Sequence, residues 1–168
     1  MKKIGIFLIA VISLTLSSCE GPSGPPGPQG PQGNDGGLIV AQAFEIELDF
    51  NSANNYQYLE PYGFTVFPTD VTLVYILWEV IDGQEIWRLL PQTVEFEDGN
   101  LFYNFDFTDV DVRFFLDGTV DFNSLDASWT QNQVFRVVVV PADNVGLLNT
   151  ANLNDVIETF GIESIERH

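Results

Sequence analysis

The two residue types that most often announce enzyme chemistry occur once each in this 168-residue chain, as Cys19 and His168. A nucleophilic triad needs an imidazole placed to take a proton from serine or cysteine. The only histidine is the final residue, expected to have no fixed position, so the chain offers no such base. Zinc needs several His or Cys ligands, and the region after residue 37 holds none besides His168. No glycine loop of the phosphate-cradling kind is present. Carboxylates remain, clustered at Asp109/Asp111, at Asp117/Asp121 and at Glu95/Glu97/Asp98. Two carboxylates facing each other across a cleft can hydrolyse a glycosidic bond. Asp109, Asp111, Asp117 and Asp121, set around turns, also supply the hard oxygen ligands that calcium takes, without the EF-hand spacing. On an acidic β protein such residues ordinarily form solvated strand faces and turns. The expectation is therefore a protein that is not an enzyme and carries no cofactor, with calcium and carboxylate hydrolysis as the alternatives.

Aromatic side chains offer a different chemistry, the stacking of sugar rings on exposed Tyr or Trp. Tyr56, Tyr58 and Tyr62 lie in a segment rich in Asn and Pro that reads as a surface loop. Trp129 sits between Ser128 and Thr130, so burial and exposure are balanced for it. Trp87 joins these candidates, whereas Trp78, inside an apolar run, reads as core.

Cys19 has a more specific context. Lys2 and Lys3 precede an apolar run from Ile4 to Leu16, too short for a comfortable membrane span. The run ends in Leu16-Ser17-Ser18-Cys19, which resembles the bacterial lipobox: a branched aliphatic, two small residues and an obligatory cysteine. The resemblance implies cleavage between Ser18 and Cys19, a diacylglyceryl group on the thiol and acylation of the new amino terminus. Residues 1–18 are then a lipoprotein signal peptide, and the mature chain is held to a membrane through lipid on Cys19. Each buried methylene contributes about 0.8 kcal/mol, and two or more acyl chains make such an anchor durable.

After Cys19 the chain keeps four arginines and no lysine against 24 acidic residues, a net charge of about −20. That surface repels phosphate-rich partners, which excludes nucleic acid and leaves membrane affinity to the acyl chains. No second cysteine is available for an intramolecular disulfide, so stability rests on core burial. From Gly21 to Gly36 glycine stands at every third position, and five prolines fall in the same stretch. This is the Gly-X-Y period of collagen, in which only glycine fits the crowded axis of three wound chains. Residues 19–37 are thus a stalk, which serves either as a polyproline-II spacer for a monomer or as the winding segment of a homotrimer. As a spacer it reaches on the order of 50 Å at roughly 3.1 Å per residue.

With Leu16 to Cys19 followed at once by Glu20-Gly21-Pro22, the chain resembles the short collagen-like lipoproteins of Bacteroidota-type Gram-negative bacteria. The resemblance is specific over the first 37 residues. It implies a cell-envelope location and a β-rich domain behind the stalk, and it carries no catalytic residues. Glu20 stands where inner-membrane retention of the enterobacterial type takes aspartate, so the outer membrane is expected, with the leaflet open.

Residues 38–168 must position whatever acts. Phe44, Ile46, Leu48 and Phe50 alternate with polar residues, the period of a strand with one wet face. Val71 to Val80 is nearly all apolar and reads as a central strand covered on both faces, and Val134 to Val140 reads as a second buried strand. Asp82-Gly83, Asp98-Gly99 and Asp117-Gly118 supply hairpin-turn chemistry. Leu101, Tyr103, Phe105 and Phe107 share one face, and Val112, Phe114 and Leu116 repeat the alternation. Leu153, Val156, Ile157 and Phe160 take helical spacing, stopped by Gly161. The fold expected is mainly β: one antiparallel sandwich, or a meander or barrel, with a short C-terminal helix covering an edge or open end. The function expected is that of a lipid-anchored envelope protein with a non-enzymatic binding or structural role, whose partner is a glycan or an envelope protein. A glycan hydrolase and a trimeric surface fibre element are the alternatives.

Overall fold

The computed structural model describes residues 41–141 and 149–168. The expected signal peptide and stalk, Cys19 included, lie outside the described residues. Nine strands are present among them: β1 (Gln42–Leu48), β2 (Gln57–Pro61), β3 (Asp70–Ile81), β4 (Gln84–Leu89), β5 (Gln92–Phe96), β6 (Gly99–Phe107), β7 (Asp111–Gly118), β8 (Gln133–Pro141) and β9 (Glu166–Arg167). One helix, α1 (Leu153–Phe160), follows β8. The strands form a five-stranded sheet in the order β4-β3-β8-β1-β9 and a four-stranded sheet in the order β2-β7-β6-β5. Every pairing is antiparallel except that of β9 with β1. Two packed sheets decide between the expected architectures in favour of the sandwich.

The period of two explains the layers. Phe44, Ile46 and Leu48 of β1, Val74 and Ile76 of β3, and Phe135, Val137 and Val139 of β8 point into the space between the sheets. Leu101 and Tyr103 of β6 and Val112, Phe114 and Leu116 of β7 meet them from the opposite sheet. The intervening residues of the central strands, Leu73, Tyr75, Val138 and Val140, point the other way and form a second cluster with Leu153, Val156 and Phe160 of α1. That is why β3 and β8 are apolar at nearly every position. The helix therefore covers the outer face of the five-stranded sheet, not the edge or open end expected of it. A strand buried on both faces needs a layer on each side, and α1 is the segment that brings an apolar face to the second one.

Local signals behave as their chemistry requires, with one correction. Asp82 and Gly83 both take positive φ and close the β3–β4 hairpin. Asn152 caps α1 by accepting from the Asn154 amide, and Gly161 ends it in the left-handed conformation. Asp117-Gly118, however, turns no hairpin. Gly118 ends β7 with φ +147, and a Cβ there would stand 2.1 Å from the Asn100 carbonyl oxygen. Glycine is needed at that point because two backbones touch. The β6–β7 connection lies instead at Thr108–Val110, a turn built without glycine.

Phe135 sits where the sheets meet, 1 % exposed, with its ring 4.9 Å from that of Phe114 and 6.0 Å from that of Phe50. Phe135→Ala leaves a cavity that neither sheet can collapse into, and we predict a loss of about 3–5 kcal/mol in urea unfolding. A loss below about 1 kcal/mol would mean that the sheets are not packed there.

Candidate interaction surface at the Ala41 end

β1 and β3 begin at the same end of the sandwich where β8 finishes, since Gln42 pairs with Val139 and Asp70 with Pro141. The β2–β3 loop and the β6–β7 turn lie at this end too. A trough crosses it in three connected depressions. The first is bordered by Ala41, Phe44 and His168 and continues past Gly63 and Phe64. The second runs between Thr65 and Val110, and the third ends between Phe67 and Phe107.

The side chains along this trough are held by turns that the sequence builds locally. The Phe67 carbonyl accepts from the Asp70 amide at 2.8 Å, and the Asp70 carboxylate accepts from the Phe67 amide at 2.9 Å. Pro68, second in that four-residue turn, presets its backbone. Across the trough, the Thr108 hydroxyl donates to the Asp111 carboxylate at 2.7 Å and accepts from the Val110 and Asp111 amides. The Tyr62 amide donates to the Val110 carbonyl at 3.1 Å and ties the two connections together. What these stapled turns present is apolar: Phe67 and Val110 are each 63 % exposed and Phe107 is 42 % exposed. Phe107 continues the inward row of β6, with its ring stacked on Phe105, but stands beyond the end of the core.

His168 is placed, contrary to expectation. Its amide donates to the Glu45 carbonyl at 2.8 Å, extending β9 along β1. Its ring stacks on Phe44 with centroids 4.4 Å apart, and its Nδ1 lies 2.8 Å from a Glu60 carboxylate oxygen. Glu60 belongs to β2, the edge of the other sheet, so this contact closes one open side of the sandwich. Among the described residues no serine, threonine or cysteine hydrogen-bonds to the imidazole, which is occupied in joining the two edges.

The other candidates are dispersed. Tyr62 is buried, with its hydroxyl 2.7 Å from Thr72 Oγ1, so the Tyr56–Tyr62 segment is an edge strand and not an aromatic loop. Tyr56 is half-buried against Phe122 and donates to Asn123. Trp129 is half-buried edge-on to Phe96. It is carried on a short 3-10 turn capped by Asp126, whose carboxyl the Ser128 hydrogen bonds hold below the usual carboxylate range. Of the five proposed sugar-stacking residues only Tyr58 is exposed, and nothing groups it with the others. Trp87 carries the Arg136 guanidinium 4.0 Å above its ring, and Arg136 also pairs with Glu45 at 2.9 Å. Trp78 packs against the core under Arg88.

The aspartates separate likewise. Asp111 and Asp117 stand at opposite ends of β7, roughly 20 Å apart along the strand at about 3.3 Å per residue. Asp121 caps the 3-10 turn Phe122–Ser124 by accepting from the Asn123 amide, and Asp117 accepts from the Gly118 amide. Asp109 is exposed in the trough. Among the described residues no three His, Cys, Asp or Glu side chains converge to hold a metal. The Asp109/Asp111 and Asp117/Asp121 clusters are therefore separate from each other.

No protein-family model, no curated protein and no solved structure matches the chain.

Three buried tyrosines brace the fold through their hydroxyls. Tyr75 donates to the Thr150 carbonyl at 2.6 Å and Tyr103 to the Trp129 carbonyl at 2.7 Å, while Tyr62 bonds Thr72. Burial pushes all three hydroxyls above the usual tyrosine range, against the lowering effect of Thr72 on Tyr62. A raised folded value means that the stabilisation is complete below the unfolded pKa, about 10, and is lost as pH rises above it. The urea midpoint should therefore hold from neutrality to about pH 10 and then fall. Tyr103→Phe should weaken that fall and cost about 1 kcal/mol at pH 7. A midpoint constant beyond the tyrosine range would refute the assignment.

Proposed function

We propose that this protein is a lipid-anchored component of the cell envelope, held at the outer membrane, whose β domain acts by binding and not by catalysis. The observation that carries the reading is the order of three segments. The chain's single cysteine closes a lipobox-like Leu16-Ser17-Ser18-Cys19, a Gly-X-Y stretch follows at once, and a two-sheet domain comes after it. Acyl chains supply the membrane affinity that a chain of about −20 net charge lacks. The stalk sets the domain off from the membrane. The domain in turn offers a trough whose walls are apolar and whose carboxylates at Asp70 and Asp111 already accept hydrogen bonds from their own turns. A partner with complementary apolar surface, an envelope protein before a glycan, fits such walls best. A carboxylate hydrolase fits less well, since the proposed acid pairs do not share one cleft.

Metabolic labelling with an alkyne fatty acid tests the anchor. The wild-type chain should incorporate label and fractionate with membranes, and Cys19→Ala should lose the label entirely. Equal labelling of both would refute lipidation at Cys19. Protease shaving of intact cells then orients the domain: cleavage with a periplasmic control intact places it on the outside, and protection places its partner within the envelope.

A further inference from the structure

We infer that the trough at the Ala41 end receives an extended, basic segment of a partner protein, with apolar side chains set between its lysines or arginines. The inference rests on reading the domain as a binding module, and it names the chemistry of the partner that occupies this surface.

Shape, open main chain and charge carry it. The three depressions hold about 370, 530 and 380 Å³ in order along the trough. The first two share Gly63 and Phe64 as walls and the last two share Val66 and Asp109, so together they make one elongated channel. A compact ligand suits a single concave pocket, whereas a row of open ones suits a chain laid along it. The Phe64 ring lies 5.6 Å from that of Tyr62 and 6.4 Å from that of Phe44, and Phe67, Phe107 and Val110 stand exposed farther along. Through the middle runs Gly63–Val66, outside every strand. Among the described residues its amides and carbonyls make no main-chain hydrogen bond, so they can pair with an extended segment as a sheet edge does.

Charge then selects the segment. After Cys19 the chain has four arginines and no lysine, and no arginine lines the trough. Arg88 lies over Trp78, Arg113 pairs with Asp106, Arg136 with Glu45 and Arg167 with Glu47. The ion pairs among the described residues use Asp106, Glu45, Glu47, Glu60 and Glu85. Glu166 in the first depression and Asp109 in the other two are exposed and outside those pairs. A segment along the channel therefore meets apolar walls and two uncompensated carboxylates. Cations on the segment answer those carboxylates, and an acidic segment is repelled.

The test uses the full-length chain in dodecyl maltoside and a fluorescein-labelled decapeptide that alternates lysine with valine and phenylalanine. Binding is read by fluorescence anisotropy against protein-free micelles. Exchanging the lysines for glutamates, or the apolar residues for serines, should each weaken binding about tenfold or more. Methylating one alternate set of peptide amides should weaken it and methylating the other should not, since only one edge of an extended segment faces Gly63–Val66. Because so acidic a chain attracts any cation, variants locate the site. Phe67→Ser/Val110→Ser should cost about tenfold with the melting temperature unchanged, and Asp109→Asn/Glu166→Gln about fivefold. Glu95→Gln/Glu97→Gln, an equal change of charge at the β5–β6 hairpin, should cost nothing. Binding indifferent to the rim and carboxylate variants is general charge attraction and overturns the inference, as does equal affinity for the glutamate peptide. A photo-cross-linking benzoylphenylalanine in place of Phe67 then reports what touches the trough in intact cells, and the joined peptide should be basic with apolar residues between its charges. If the lysine peptide does not bind but position 67 joins an envelope protein, the binding reading stands and the chemistry assigned to the partner fails. A cross-link to a second copy of the chain or to lipid also overturns the inference, and the absence of both binding and cross-link overturns it together with the binding reading.

Discussion

The pairing of β3 with β8 is the constraint on which the rest of this structure depends. These strands stay in register from Asp70↔Pro141 to Ile76↔Phe135 and lie at the centre of the larger sheet. Their side chains supply two cores at once, Val137 and Val139 facing the second sheet while Val138 and Val140 face α1. A slip of one residue would exchange every one of these between layers. The exchange would also move Arg136 off the outer face, where Trp87 and Glu45 receive it, and into the apolar space between the sheets. Register, layering and the placement of the helix are therefore one decision and not three.

From that centre outwards the edges are managed by different means. β1 is covered on its outer side by the two residues of β9, and His168 then reaches Glu60 on the edge of the other sheet. On the outer face beyond α1, Arg136 is nearly covered between Trp87 and the carboxylates of Glu45 and Glu85. This cluster continues the sheet's outer surface with polar groups that pair with one another. The exposed pair of Arg113 with Asp106 on the second sheet is by comparison a minor contribution, as surface ion pairs generally are. At the Ala41 end Phe67 and Val110 are exposed on turns and Phe107 at the end of β6. Phe107 keeps the inward phase of β6 with nothing left to pack beneath it.

Much of the fold was legible in the chain. Alternation identified β1, β6 and β7, the largely apolar runs identified β3 and β8, and Asn152 and Gly161 bounded the helix. The misreadings share a cause. Gly118 has the composition of a turn but serves a close backbone approach to Asn100, which belongs to another strand. Tyr62 follows Asn- and Pro-rich residues, yet Thr72 and the core claim it. His168 looked free because its partners, Phe44 and Glu60, are more than a hundred residues away. The rim was legible only in part. Pro68 and Asp70 mark a turn, and Thr108 with Asp111 marks another, but neither pattern states that the two turns face each other.

By itself the sequence determined which segments are strands, which faces of them are apolar, where the helix starts and stops, and the acidic charge that any partner must tolerate. It also set the lipobox-like cysteine and the glycine period, because both are patterns among neighbouring residues. Tertiary structure alone decided that α1 lies on the outer face of the larger sheet, that the aspartate pairs stand apart, and that Phe67, Phe107 and Val110 form one rim. The physical reason is range. Alternation, caps and turns act over two to five residues and can be read along the chain. The meeting of two turns some forty residues apart is set by the pairing and packing of the sheets that carry them.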